Sequence, residues 1–110
     1  MTASFRERFV EADGFRIRYW EAGSGPALVH LHGSGGARVQ HSHALLAEKH
    51  RVVVFEMPGF GASAENTRTA SMPDLAATMN QAIGALGIER CTLLGTSFGG
   101  IVGQIGRAHV

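Results

Sequence analysis

Hydrophobic and polar positions alternate near the start of the chain. Phe15, Ile17 and Tyr19 are separated by arginines, and the turn sequence Asp13-Gly14 connects them to an earlier segment, residues 5–11. Asp-Gly between two such segments is typical of a β-hairpin. Since a strand places alternate residues on one face, the pattern predicts a hairpin with one buried face and one wet face.

Three later segments are hydrophobic without alternation: residues 27–31, 52–55 and 91–94. Short continuous runs of this kind are typical of strands that are covered on both faces, as in a parallel sheet. We therefore predict three parallel strands in addition to the hairpin.

Two segments between these runs have a helical pattern. The stronger one follows Ser71, with Pro73 in the first turn, Asp74 at the position of a capping box and Gly87 as a stop signal. Its apolar stripe is Leu75, Met79, Ile83 and Leu86. The weaker one, residues 41–49, depends on Ala44, Leu45 and Ala47. Helices that alternate with strands predict an α/β fold with βαβ crossovers, which is entered here through an antiparallel hairpin.

Composition restricts the classes of function. The 110 residues allow one domain or part of one, and a net charge of +1 without a charge run gives no footprint for nucleic acid. The charged start and the lack of any run of about 20 apolar residues favour a protein that does not bind membranes. Cys91 is the one cysteine of the sequence, which fits a reducing cytoplasm.

Each of the three apolar runs ends in a glycine-containing loop: residues 32–36, 56–63 and 95–100. The carboxyl ends of parallel strands meet at one edge of a sheet, where ligands bind. In the last loop, Gly95-Thr96-Ser97-Phe98-Gly99 fits the nucleophile elbow G-x-S-x-G, in which a serine lies on a tight turn between a strand and a helix. Side chains at the two glycine positions would collide between that strand and that helix.

In this order the segments resemble the α/β-hydrolase fold family, from about the first strand to the start of the helix after the elbow. The resemblance implies a serine hydrolase that attacks an ester or related carbonyl of a small molecule and needs no metal or organic cofactor. It implies a nucleophile at Ser97 and an oxyanion hole formed by the backbone N–H groups of Ser34 and Phe98. The residues expected to set the geometry of the elbow and the first loop are Gly95, Gly99, His32 and Gly33.

The middle loop resembles the family's Asp-x-Pro-Gly-x-Gly-x-Ser segment, with Glu56 where aspartate is usual. We interpret this side chain as structural. The family's catalytic acid and histidine come later than the elbow, and only thirteen residues follow Ser97. We therefore expect residues 1–104 to be the N-terminal part of a hydrolase core domain that is inactive alone. Residues 105–110, which match a translated sequencing adapter, are expected to be a non-native tail.

Several alternatives stay open. Carbon–carbon bond hydrolases and lyases share this fold, and the chain could be a non-catalytic fragment or a small-molecule or nucleotide-binding module. Gly59-x-Gly61-x-x-Ala64 formally fits a dinucleotide fingerprint, but the residues after it lack the apolar period of a helix. His30 and His32 alternate on a strand, yet no carboxylate or cysteine at ligand spacing completes a metal site, so we expect both to be structural.

Overall fold

The computed structural model of the protein describes residues 4–66, 71–96 and 99–100. The elements in this part, in chain order, are β1 (Arg6–Ala12), β2 (Phe15–Ala22), β3 (Ala27–Leu31), α1 (His41–Leu46), β4 (Arg51–Phe55), α2 (Met72–Ala85) and β5 (Cys91–Gly95). The strands form one mixed sheet in the order β1-β2-β4-β3-β5. The pairs β1–β2 and β2–β4 are antiparallel, while β3 is parallel to both β4 and β5. The predicted α/β fold is confirmed.

The opening hairpin has a two-residue turn. Asp13 and Gly14 both have positive φ angles, 52° and 80°, as the tight turns that match the twist of a hairpin require. Ala12 consequently pairs with Phe15. The side chains of Phe15, Ile17 and Tyr19 are buried, as the alternation predicts.

The sheet carries a hydrophobic core on each face. On one face, Val29, Val53 and Phe55 pack with α2 residues such as Leu75 and Met79. On the other face, Leu28, Val52 and Val54 pack with Ala22 and with Ala47, which directly follows α1. The two central strands, β3 and β4, are therefore covered on both faces, as expected for continuous apolar runs.

The expectation of two covered faces is wrong for β5. Leu93 is half-buried against the core on the α2 face, but Leu94 is 43% exposed. In the described part of the chain, β5 pairs with β3 alone and lies at the edge of the sheet. An edge strand has fewer neighbours to cover it than the strands at the centre.

Helix α2 lies between the predicted start and stop signals. Of its predicted stripe, Leu75 and Met79 are buried, while Ile83 and Leu86 are half-buried against the same core. The Ser71 hydroxyl accepts a hydrogen bond from the Asp74 N–H at 3.3 Å, which caps the first turn. Gly87 follows the last turn with a φ of 75°. Thr78, also buried, donates a hydrogen bond of 2.6 Å to Asp13 and so connects α2 to the hairpin turn.

Helix α1 differs from its prediction. It ends at Leu46, three residues before the expected end, and Leu45 is 54% exposed while His43 is buried. His43 and Ala47 are four residues apart and lie on the same side of the helix, so Leu45 between them faces away from the sheet. No helix in the described ranges is long and apolar enough to cross a membrane.

Candidate active site

Three loops start at the same edge of the sheet. Leu31 at the end of β3 is in register with Phe55 at the end of β4 and with Gly95 at the end of β5. The segments that follow these residues are the glycine-containing loops of the sequence analysis. The topology therefore brings all three to the carboxyl edge of the sheet, as predicted.

The first loop is fixed by His32. Its buried ring accepts a hydrogen bond at Nε2 from the Met57 N–H at 2.9 Å, so the proton is on Nδ1, which donates to the Gly33 carbonyl at 2.7 Å. Burial lowers the pKa of His32, although the Gly33 carbonyl and the charge of Glu56 partly oppose this effect. His32 thus stays neutral and holds the first loop against the second.

Ser34 follows in a turn at the edge of the sheet. The Gly36 N–H donates to the Gly33 carbonyl at 3.1 Å, so Ser34 is the second residue of a four-residue turn. The hydrogen bond that closes this turn does not use the Ser34 N–H. The Ser34 residue itself is exposed.

Ser97 and Phe98 lie outside the described residues, which include the rest of the elbow. Thr96 donates its N–H to the Leu31 carbonyl at 3.1 Å, and its own carbonyl accepts the Gly99 N–H at 2.9 Å. A Cβ added at Gly99 would lie 2.5 Å from the His32 carbonyl oxygen, and one added at Gly95 would lie 2.6 Å from the Gly100 nitrogen. Neither position has room for a side chain. The elbow therefore lies directly against the start of the first loop.

This arrangement of strands and loops agrees with a family comparison, in which residues 26–105 match the model of the α/β hydrolase fold. The chain belongs to the α/β-hydrolase fold family. Its described part supplies the first strands, the first loop and the approach to the elbow of that fold.

Named relatives include two kinds of hydrolase. The chain is 29% identical over 107 residues to a 2-hydroxy-6-oxo-6-(2'-aminophenyl)hexa-2,4-dienoic acid hydrolase of Metapseudomonas resinovorans. This alignment covers 92% of this chain and 37% of the relative. It is 40% identical over 91 residues to a pimeloyl-(acyl-carrier protein) methyl ester esterase of Aeromonas hydrophila. That alignment covers 79% of this chain and 34% of the relative. The chain thus spans about a third of the length of these relatives.

Solved structures give the same fold. The chain superimposes on Cfl2 of Burkholderia cenocepacia with a TM-score of 0.86 and 29% identity, over 96% of this chain and 37% of that one.

In this member of the fold family, the second loop is built around Glu56. Its buried carboxylate accepts hydrogen bonds from Arg18 and from the backbone N–H groups of Ala62 and Ser63, at 2.7 to 3.0 Å. Burial alone would raise the pKa of Glu56, but the hydrogen bonds and the charge of Arg18 outweigh it, and the pKa is lowered. The contacts of Glu56 with the described residues are internal, in agreement with a structural role.

The second loop also has little capacity to bind a nucleotide. The Gly59 N–H donates to the Ala64 carbonyl at 2.8 Å, and the Ser63 N–H donates to Glu56 and to Phe60. These amides are used within the protein, and α2 begins only at Met72. A dinucleotide fingerprint instead needs free amides directly before a helix.

Sequence reasoning missed a histidine pair that joins β3 to α1. His30 on β3 contacts His43 on α1, with 2.7 Å between His30 Nδ1 and His43 Nε2, and His30 Nε2 lies 2.9 Å from the Thr96 hydroxyl. The alternation along β3 had suggested His32 as the neighbour of His30 on one face. The strand ends at Leu31, however, and His32 turns towards Met57. Within the described ranges, no group of three or more His, Cys, Asp or Glu side chains is arranged to hold a metal ion.

Proposed function

We propose that the chain is the nucleophile-bearing part of a serine hydrolase that cleaves an ester or related carbonyl of a small molecule through an acyl-enzyme on Ser97. The observation that carries this proposal is the contact of Gly99 with the backbone of Leu31 and His32. It sets Gly99, two residues after Ser97, beside the first loop, which supports the proposal because acyl transfer needs the nucleophile and the oxyanion donors near one carbonyl group. The lone thiol of Cys91 fits a cytoplasmic protein.

In the proposed reaction, the Ser97 hydroxyl loses its proton to a histidine base and attacks the carbonyl carbon. The negative charge that develops on the carbonyl oxygen is stabilised by the backbone N–H groups of Ser34 and Phe98. Removal of one such donor typically raises the barrier by about 3 kcal/mol. The bond from the carbonyl carbon to the leaving oxygen then breaks, and the protonated histidine gives its proton to the departing alcohol. Water loses a proton to the same histidine and attacks the acyl carbon, and the acyl group leaves as the acid while the Ser97 oxygen takes the proton back. These steps use side chains and backbone amides and need no metal or organic cofactor.

The base and its orienting carboxylate are proposed to come from the part of the fold that the relatives have in addition to the segment described here. His30, His32 and His43 already have internal hydrogen-bond partners that fix their rings. None of these three rings is therefore available as a general base for Ser97.

Labelling with a fluorophosphonate tests the proposal, since this probe reacts with a serine whose base and oxyanion hole are assembled. We expect labelling of a longer gene product that contains this segment and no labelling of the 110-residue chain. Ser97→Ala should abolish labelling, while Ser34→Ala should not, because only the backbone N–H of Ser34 is used. Labelling that survives Ser97→Ala, or its absence from the longer protein, would contradict the proposal.

A second candidate is cleavage of a carbon–carbon bond, which the similarity to the dienoic acid hydrolase favours. Turnover of p-nitrophenyl acetate and of a 2-hydroxy-6-oxo-dienoic acid by the longer protein discriminates the two. We expect faster turnover of the ester.

A further inference from the structure

A chain of hydrogen bonds joins the start of α1 to the residue before Ser97. The Gln40 N–H donates to His43 Nδ1 at 2.8 Å, His43 Nε2 lies 2.7 Å from His30 Nδ1, and His30 Nε2 lies 2.9 Å from Thr96 Oγ1. His43 is 2% exposed, so its ring has little access to water. Each ring nitrogen of the two histidines has a partner in this chain.

One backbone amide determines where the protons lie. Because the Gln40 N–H can only donate, His43 Nδ1 must accept, and in a neutral ring the proton is then on Nε2. His43 Nε2 therefore donates to His30 Nδ1, which leaves the His30 proton on Nε2. His30 in turn donates to the Thr96 hydroxyl. A single tautomer of each ring satisfies all three contacts.

An additional proton on either ring would break the chain. On His43 Nδ1 it would face the Gln40 N–H, and on His30 Nδ1 it would face the proton of His43. The surroundings also disfavour it: burial lowers the pKa of both rings, and the pKa of His30 is lowered further by His43 and His32. From the segment before β1, the uncharged ring of Phe5 packs edge-on against His43, and Val54 of β4 pairs with His30.

This chain of hydrogen bonds connects the two loops that form the proposed oxyanion hole. The segment that contains the first loop runs from His32 to Gln40, which caps α1. In the elbow, Thr96 is bonded through its N–H to Leu31, through its carbonyl to Gly99 and through its hydroxyl to His30. His43 and His30 are thus a direct side-chain link between the end of that segment and the elbow.

We propose that His43 and His30 are positioning residues, which hold Thr96 in one orientation and so keep the elbow in register with the first loop. The proposal rests on the proposed function for its catalytic consequence, but the link itself is a property of this chain. Neither histidine contacts the substrate in this scheme. Both act through Thr96.

The link is tested first by NMR of the ¹⁵N-histidine-labelled 110-residue chain at neutral pH. We expect both rings as the Nε2–H tautomer, with the His30 Nε2 proton partly protected from exchange with water by its bond to the exposed Thr96 hydroxyl. Thr96→Val keeps the shape of the side chain but removes the acceptor, so that proton should exchange up to about tenfold faster, and Thr96→Ser should restore its protection. A Nδ1–H tautomer of either ring, or equal protection in the Val and Ser variants, would overturn the proposal.

The catalytic consequence is tested by the rate of fluorophosphonate labelling in the longer protein. Thr96→Val and His43→Phe should each slow labelling by about fivefold to tenfold, whereas Thr96→Ser should stay within about twofold of the original protein. The double variant should be no slower than either single variant, since both break one chain. Additive losses would overturn the positioning role. If the original longer protein takes up no label, the proposed hydrolase function fails, and the NMR result still decides whether the link exists.

Discussion

The guanidinium of Arg18 donates two hydrogen bonds to the buried carboxylate of Glu56, from Nε at 3.0 Å and from Nη2 at 2.7 Å. Arg18 lies on β2 and Glu56 directly follows β4, so this pair joins the second loop to the hairpin. Two parallel hydrogen bonds between a guanidinium and a carboxylate are among the strongest and most directional side-chain contacts.

Replacement of Glu56 by glutamine should therefore destabilise the protein by about 3 kcal/mol, because it removes the negative charge beside a partly buried guanidinium and places an amide donor against one of its N–H groups. Urea unfolding measures this loss. Glu7→Gln is the matched control, since Glu7 also contacts Arg18 but its side chain is 51% exposed. That variant should lose less than about 1 kcal/mol. Equal losses in the two variants would contradict the structural role of Glu56.

The same pair predicts acid sensitivity. The pKa of Glu56 is lower in the folded protein than in the unfolded chain, where it is about 4.3. Its contribution to the free energy of unfolding is therefore complete above about pH 4.3 and is lost as the pH falls through the pKa of the folded protein. In Glu56→Gln, the free energy of unfolding should depend less on pH between about pH 5 and pH 2. Urea unfolding at several acidic pH values checks this difference.

Gly99→Ala and Gly84→Ala should have opposite effects. An added Cβ at Gly99 meets the backbone of Leu31 and His32, whereas one at Gly84, within α2, meets no atom within 4 Å apart from its chain neighbours and the adjacent backbone of its own helix. We expect a loss of more than about 2 kcal/mol for the first variant and a gain of about 0.5 kcal/mol for the second. Thermal unfolding of the three proteins gives the comparison. A neutral Gly99→Ala would show that the elbow does not lie against the first loop.

Ser34→Pro isolates the proposed oxyanion donor. Proline is favoured at the second position of a turn, so it removes the N–H while leaving the turn from Gly33 to Gly36 intact. In the longer protein, kcat for an ester substrate should fall about 100-fold. Ser34→Ala, which keeps the N–H, should stay within about twofold of the original rate. Equal rates in the two variants would remove Ser34 from the oxyanion hole.

A further prediction concerns the pH dependence of stability near neutrality. Burial lowers the pKa of His30, His32 and His43 in the folded protein. The pKa of a histidine in the unfolded chain is about 6.5. As the pH falls below it, the unfolded chain binds more protons than the folded protein, so the free energy of unfolding decreases. Between pH 7.5 and pH 5 we expect a loss of about 1 kcal/mol or more, measured by urea unfolding. His43→Phe should make this dependence shallower, and a pH-independent stability would contradict the prediction.

The sequence predicted those features that depend on neighbours along the chain. The hairpin followed from the Asp13-Gly14 turn, α2 from its Ser71 cap and its stripe, and the requirement for Gly95 and Gly99 from the tightness of an elbow. Features that depend on contacts between distant elements were missed. Nothing in the short apolar pattern of α1 indicated that His43, rather than Leu45, faces the sheet.

The position of a strand in the sheet was equally hard to read. The run of residues 91–94 lacks alternation, like that of β4, yet in the described part of the chain β5 lies at the edge and β4 at the centre. Hydrophobicity along a strand records what can be buried, whereas the neighbours of the strand in space determine what is buried. The link from His43 through His30 to Thr96 joins residues up to 66 positions apart, and no local pattern encodes such a distance.

The length of the side chain at position 56 also affects how this protein could be recombined with others. A glutamate reaches Arg18 across the sheet, so the second loop and the opening hairpin have to be inherited together. A chimera that took residues 56–63 from this chain and its hairpin from a relative without the arginine would leave the buried Glu56 carboxylate without a positively charged partner. Crossover points for recombination within the family should therefore lie outside residues 16–64. The first and last residues of this range are joined by a hydrogen bond from the Ala64 N–H to the Arg16 carbonyl.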